Sequence, residues 1–587
     1  MLTWRTISVL VLVMSAALCA LAQTSRPAAK TETSDSLAIG AITGKVLNEN
    51  GQPLAGALVQ VRAVSGTGPG QVTNTNREGE FRADGLDRGS YVVMPSMPAY
   101  VLQPPDPSTT QSPTYRIGDS VTFTLIKGGV VTGTVTNANG EPVVAVPVTV
   151  QMSRDANGRR MANGFRREIL TDDRGIYRAY GLLPGTYVVS AGGPNMYGPP
   201  EQNAFETDVP TYAPSATRDT ALEIAVRSGE ETAGIDIRYR GEQGRTISGI
   251  VNAPNSTAYN VILSASGEGS VPWTTTFYQA AYVEGFVFKG IADGEYQLVA
   301  MAYGRGGSRD VAAAVKRVVV RGADVSGIEL NAAPLATISG RVELEETKAP
   351  ECTDKQRPDY KEIIVSAWHD DDEAAKETPL ALWSIGAPTA ADAEGNFTLR
   401  NLAAGEYYFV TRFTAKYWYL QSIVFTAPPA SAAASGAAKV ASKAVDATVV
   451  WTKVKAGDRL AGLTVTLAQG AATVRGQLVS ERQQVPEKLF VYLVPSEREK
   501  AEAVLRYYTA PVSPDGKIAL HNIAPGRYWV VAQTFSDDAA TPLTKLRMPQ
   551  ETATRARLRR DAEAAKTEIE LKPCQNVTDF QLPFKPQ

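Results

Sequence analysis

Five times along this chain of 587 residues, an apolar residue is followed four positions on by Gly or Asn and then directly by an aliphatic residue. Gly and Tyr complete each copy at its eighth and tenth following positions. The copies are Phe81, Gly85, Leu86, Gly89, Tyr91; Tyr177, Gly181, Leu182, Gly185, Tyr187; Phe286, Gly290, Ile291, Gly294, Tyr296; Phe397, Asn401, Leu402, Gly405, Tyr407; and Ile518, Asn522, Ile523, Gly526, Tyr528. Spacing held this closely marks an internal repeat.

A second signature precedes each copy, two aliphatic residues flanking a central Gly: Ile42-Thr43-Gly44-Lys45-Val46, Val131-Thr132-Gly133-Thr134-Val135, Ile247-Ser248-Gly249-Ile250-Val251, Ile338-Ser339-Gly340-Arg341-Val342 and Val474-Arg475-Gly476-Gln477-Leu478. Alternation puts the aliphatic pair and the Gly on one face, the pattern of a half-buried strand. Short alternating runs such as Val121–Leu125, Ile235–Ile237, Ile328–Leu330, Leu463–Leu467 and Phe580–Leu582 close the units. Glu78-Gly79, Arg174-Gly175, Glu394-Gly395 and Asp515-Gly516 are turn pairs in which Gly takes positive φ. The repeated Tyr can bury its ring while its hydroxyl satisfies turn backbone, as in the tyrosine corner of Greek-key sandwiches.

The pattern predicts an all-β chain, a tandem array of five Ig-like, transthyretin-like Greek-key β-sandwiches with about seven strands each. Its expected divisions are 40–127, 128–240, 241–331, 332–468 and 469–587, after a linker over 23–39. Within the fourth, an Ala/Pro-rich loop is expected over 427–447. The fifth is expected to hold a short helix near 549–562, started by Pro549.

The opening of the first unit, Thr43-Gly44-Lys45-Val46, Gly51-Gln52-Pro53-Leu54-Ala55-Gly56-Ala57-Leu58-Val59-Gln60-Val61 and Glu78-Gly79-Glu80-Phe81, resembles the carboxypeptidase regulatory-like domain. The second unit is similar through Gly140-Glu141-Pro142-Val143, whereas the later three keep only the turns and strand ends. The resemblance implies transthyretin-like sandwiches of exported bacterial proteins, with starch-binding-like domains among their superfamily neighbours. It also implies an interaction or stabilising module without chemistry of its own.

Residues 1–22 read as a signal peptide: Arg5, an apolar run from Ile7 to Leu18, and Ala20-Leu21-Ala22 before a cleavage point at Gln23. Cys19 offers a lipoprotein alternative, but Leu18 is bulkier than the residue normally preceding a lipidated cysteine. No membrane span is expected after leader removal, and the location is expected to be the periplasm, cell surface or extracellular space. A formal charge of −2 argues against nucleic acid as a partner. Hydrophobic residues make up 43%, enough for packed cores. Outside the leader only Cys352 and Cys574 remain, and the sequence leaves open either a disulfide between them or two isolated thiols.

Little chemistry is visible. The two histidines, His369 and His521, fall in different units, and Asp372 stands where a zinc carboxypeptidase motif needs Glu. Asp370-Asp371-Asp372-Glu373 reads as a solvated acidic loop, because no Gly-punctuated calcium loop accompanies it. Asn74, Asn76 and Glu78 are rejected as calcium ligands, since Gly85 occupies the bidentate position. Gly66 to Gly70 reads as a hairpin tip, since no helix follows to cradle phosphate. Lys45 has no Asn in the last strand of its unit, so a Lys–Asn isopeptide crosslink is not expected. No catalytic residue, cofactor or metal is therefore expected.

Aromatic residues carry the one hint of binding. Tyr417-Trp418-Tyr419 alternates faces and can show a stacking platform for sugar, with Trp273 beside Tyr278 and Tyr282 as a second candidate. Core or inter-domain packing is the competing reading for both. The leading functional expectation is an exported, non-enzymatic rod of modules for adhesion or envelope scaffolding. The alternatives are a binder of extracellular polysaccharide and an accessory to a peptidase or hydrolase. Polysaccharide and envelope proteins are the partner classes considered.

Overall fold

The computed structural model describes residues 40–584 apart from 65–69, 103–112, 157, 159–164, 195–202, 254–255, 267–275, 282–284, 305–310, 370–387, 427–443, 481–484, 487 and 536–541. In the first sandwich β1 (Gly40–Asn48), β4 (Glu80–Leu86), β6 (Tyr100–Leu102) and β7 (Ser120–Lys127) form one sheet in the order β4-β1-β7-β6. The facing sheet has the order β3-β2-β5, from β2 (Leu58–Ala63), β3 (Gln71–Asn74) and β5 (Tyr91–Ser96). β1 runs antiparallel to β4 and parallel to β7. Ile42, Val46, Val59, Val61, Phe81 and Leu125 fill the space between the sheets.

The same plan recurs in the four sandwiches that follow. Their first strands, Gly129–Thr136, Arg245–Asn252, Ala336–Glu345 and Ala472–Ser480, each run antiparallel to the strand carrying the first half of the repeat signature and parallel to a closing strand. The chain is thus the expected all-β array of five sandwiches, with helix in the last. The helical region is longer than expected: α1 (Pro542–Arg547) precedes α2 (Thr552–Ala565), and Pro549 lies in the turn between them. Arg555 of α2 donates to the carbonyls of Leu546, Met548 and Pro549, closing the C-terminal end of α1. The helices cover the outer face of Leu489–Pro495, where Phe490, Tyr492 and Val494 pack with Leu546, Leu558 and Ala562. Both faces of that strand are therefore buried, and it reads as an unbroken apolar run instead of an alternating one.

Two local devices explain the repeat signature. Gly85, Gly181, Gly290, Asn401 and Asn522 all adopt left-handed backbone, with φ between 56° and 74°. At each of them the pairing with the first strand slips by one residue. This is a bulge whose extra residue needs positive φ, which Gly and Asn adopt most readily. The chain then turns at the second Gly, and the Tyr hydroxyl reaches back four residues. Tyr91, Tyr187, Tyr296, Tyr407 and Tyr528 donate to the carbonyls of Asp87, Leu183, Ala292, Ala403 and Ala524 at 2.7–2.9 Å. All five rings are buried. The central Gly of each first strand has a different cause. A Cβ on Gly44, Gly133, Gly249, Gly340 or Gly476 would lie 2.0–2.3 Å from a carbonyl oxygen of the closing segment.

The sandwiches are joined almost without linkers. β7 ends at Lys127 and the next strand begins at Gly129, and Gln469 and Ala472 are separated by only two residues. Neighbours consequently interlock. Lys289 pairs with Glu206 at 2.5 Å across the second and third sandwiches. Ile262, Val299, Met301 and Val311 of the third form one apolar cluster with Ala403 of the fourth. Tyr419 and Ala468 of the fourth are buried in the core of the fifth.

The expected extended rod is not observed, because the first sandwich folds back on the fourth. Ser90 donates to the carbonyl of Glu362 at 3.1 Å, Arg116 lies 3.6 Å from the Glu362 carboxylate, and Arg88 lies 3.7 Å from Asp359. Segments some 270 residues apart thus meet, a contact that near-rigid junctions permit and that no local pattern encodes.

Two outcomes follow from this packing. Tyr187→Phe leaves the Leu183 carbonyl without its partner and should cost about 1–2 kcal/mol, read as a lower denaturant midpoint at unchanged slope. Burial pushes the Glu362 carboxyl up, more than Arg116 draws it down. The folded state therefore holds this proton more tightly than the unfolded chain. That contribution is present below the ordinary carboxylate range and lost as pH rises through the raised folded value. Melting temperatures across pH should show Glu362→Gln matching the parent in acid and equalling or exceeding it at neutral pH; a deficit confined to neutral pH would refute this account.

Candidate functional site

The aromatic stretch expected to bind sugar is internal. Trp418 is fully buried in the core of the fourth sandwich, and its indole N–H donates to the Gln356 carbonyl at 3.1 Å. Tyr419 points the other way, as alternation requires, but into the core of the fifth sandwich. Tyr417 is half-buried, with φ of 66° and Lys355 Nζ 4.7 Å from its ring centroid. The stretch rivets two sandwiches together and offers no stacking face at Trp418. Trp273 lies outside the described residues, as do Asp370 to Glu373 and the leader.

Cys352 and Cys574 are joined as a disulfide, with their Cα atoms 5.5 Å apart. The bond ties the fourth sandwich to the turn before the closing strand of the fifth. Around it Gln469 donates to the Cys352 carbonyl at 3.1 Å, and the Cys574 N–H donates to the Gly470 carbonyl at 2.9 Å.

His369 ends the strand Ile364–His369 beside Tyr407, with ring centroids 4.8 Å apart. His521 sits in the strand Lys517–Ile523 of the fifth sandwich, its pKa lowered by burial and by Arg475 and Lys416. Asn76, once weighed as a calcium ligand, instead accepts the N–H groups of Glu78 and Glu80 at 3.0 and 2.7 Å. Lys45 pairs with Glu80 across the first sheet at 2.9 Å. Among the described residues, no three His, Cys, Asp or Glu side chains gather where a metal ion could be held.

Among the described residues, a cleft of about 590 Å³ opens where the first, fourth and fifth sandwiches meet. Pro113 and Thr114 reach it from the first sandwich, ahead of β7, and Thr411 and Arg412 end the strand Gly405–Arg412 of the fourth. Tyr508, Thr509 and His521 come from strands of the fifth, and Arg547 from α1. Among the described residues that line it, none is acidic. Burial lowers the pKa of Arg547, whose guanidinium stands 6.0 Å from the Tyr508 ring. Arg412 is likewise lowered by burial. The Tyr508 hydroxyl is committed to the Ala524 N–H at 2.9 Å, so the ring is held in place from below. The chemistry available is that of cations and hydroxyls beside an imidazole, able to bind and orient an anion. Sequence reading missed this site because its residues are scattered from 113 to 547 and converge only through the folding back of the first sandwich.

Solved structures similar to this chain match it at low identity and with low TM-scores. The TIE protein of Bacillus anthracis is 12% identical, with half of each chain covered and a TM-score of 0.13. This chain therefore spans only half the length of that protein. The minor pilin GBS52 of Streptococcus agalactiae is 13% identical over 35% of this chain and 96% of its own, with a TM-score of 0.19. BcpA, the major pilin subunit of Bacillus cereus, is 10% identical over 50% of this chain and 99% of its own, with a TM-score of 0.14. No curated protein matches the chain. Over residues 41–117, which carry the first sandwich from β1 to the turn before β7, the chain is similar to the carboxypeptidase regulatory-like domain family, whose model it matches there.

Proposed function

We propose that this is an exported, non-enzymatic protein of the cell envelope or extracellular space, whose five sandwiches form a preorganised binding, adhesion or scaffolding body. The observation that carries the reading is where the repeated residues are spent. The bulge Gly and Asn, the corner Tyr and the first-strand Gly all serve backbone geometry in every sandwich, which leaves surfaces and junctions for function. Export is supported by the Cys352–Cys574 disulfide, since such bonds persist in oxidising compartments. It is supported also by the leader-like start from Arg5 to Ala22.

Fractionation of producing cells, with N-terminal sequencing of the recovered chain, tests this reading. A chain beginning at Gln23 outside the cytoplasm is expected, and a cytosolic chain retaining Met1 would overturn it. Turnover of peptide or glycoside substrates by the purified chain would overturn its non-enzymatic part.

The disulfide supplies a stability test. It closes a loop of 222 residues, so Cys352→Ser or reduction should lower stability by about 2–4 kcal/mol, with the loss read in the transition of the fourth and fifth sandwiches. Limited proteolysis should then cut first near the Gly470 junction.

A further inference from the structure

We propose that the cleft between the first, fourth and fifth sandwiches is a binding site for an acidic saccharide, a uronic-acid-containing oligosaccharide whose carboxylate is held by Arg547 and Arg412. Its volume, about 590 Å³, falls within the range of pockets that enclose small ligands.

The case begins with Arg547. Other arginines of the fifth sandwich have their charge answered by the backbone: the buried Arg555 donates to three carbonyls, and the partly buried Arg506 donates to that of Pro525 at 2.6 Å. Arg547 instead has a buried Nε with no hydrogen-bond partner among the described residues, and its guanidinium stands 6.0 Å from the Tyr508 ring centroid. The side chain is partly buried, and a buried guanidinium nitrogen without a partner is costly, a cost that a carboxylate delivered by a ligand offsets. Arginine suits this group particularly, because its planar fork matches the two carboxylate oxygens.

The remaining lining selects among carboxylates. Thr411 and Thr509 keep buried hydroxyls without partners, and both belong to the cleft. Thr411 is itself more than nine-tenths buried. Together with the Asn522 amide they match a ligand rich in hydroxyl groups. Phe413, Leu420 and Leu543 add apolar surface on which the C–H face of a sugar ring can rest. An inorganic anion can accept from the hydroxyls but leaves this apolar wall uncovered.

Calorimetric titration of the full chain with trigalacturonate, with maltotriose and with inorganic phosphate tests the assignment. Trigalacturonate should bind, with an affinity that falls as salt is raised, whereas maltotriose and phosphate should bind at least about tenfold more weakly. Arg547→Leu should weaken trigalacturonate binding by about tenfold or more, as expected for losing a hydrogen-bonded charge. Arg547→Lys should recover only part of it, because a point charge cannot form the planar pair. Thermal unfolding of each variant checks that the fold persists. Should Arg547→Leu fail to fold, Thr509→Val replaces it and should weaken binding several-fold. Absence of trigalacturonate binding, equal binding of maltotriose or phosphate, or unchanged affinity in folded Arg547→Leu or Thr509→Val would each overturn the proposal.

Discussion

A single residue with positive φ sits at the same place in every sandwich, and the repeat is organised around it. The bulge at Gly85, Gly181, Gly290, Asn401 or Asn522 bends the strand away from its partner, so that the chain can cross to the facing sheet. Crossing exposes turn carbonyls that would otherwise be buried without partners. The Tyr ten residues after the start of the signature answers one of them with its hydroxyl while its ring fills the core below. Bulge, turn and ring therefore depend on one another, which explains why their spacing is invariant although the residues between them vary.

In two copies the bulge also meets the preceding sandwich. A Cβ on Gly290 would lie 2.6 Å from the Asp208 carbonyl oxygen of the preceding sandwich, so this copy requires Gly for contact as well as for φ. In the next sandwich Asn401 uses its side chain instead, accepting the Val311 N–H at 3.0 Å. In these two copies the choice between Gly and Asn matches what the adjacent sandwich presents. Junctions of so few residues leave little freedom for hinging, and the apolar patch formed by Ile262, Val299, Met301 and Ala403 removes more of it.

The sites were far less legible than the fold. Alternation in Tyr417-Trp418-Tyr419 correctly implied two opposed faces, and either face could have been open to water. Both are covered at Trp418 and Tyr419, one by the core of their own sandwich and the other by that of the next. The helical region was recognised from composition but not as two helices, because α1 is only six residues long and is held by tertiary contacts with Arg555. No sequence pattern singles out Glu362. It is buried only because the first sandwich lies over it.

Sequence alone determined the number of sandwiches, the spacing of the repeated Gly and the role of the corner Tyr, because these follow from local backbone conformation and from contacts within about ten residues. Tertiary structure alone decided which faces stayed open, how the first sandwich returned to the fourth, and that Arg412, His521 and Arg547 would line one cleft. Such placements depend on the angles at which whole sandwiches dock, and those angles are sums of many small surface contacts that leave no periodic trace along the chain.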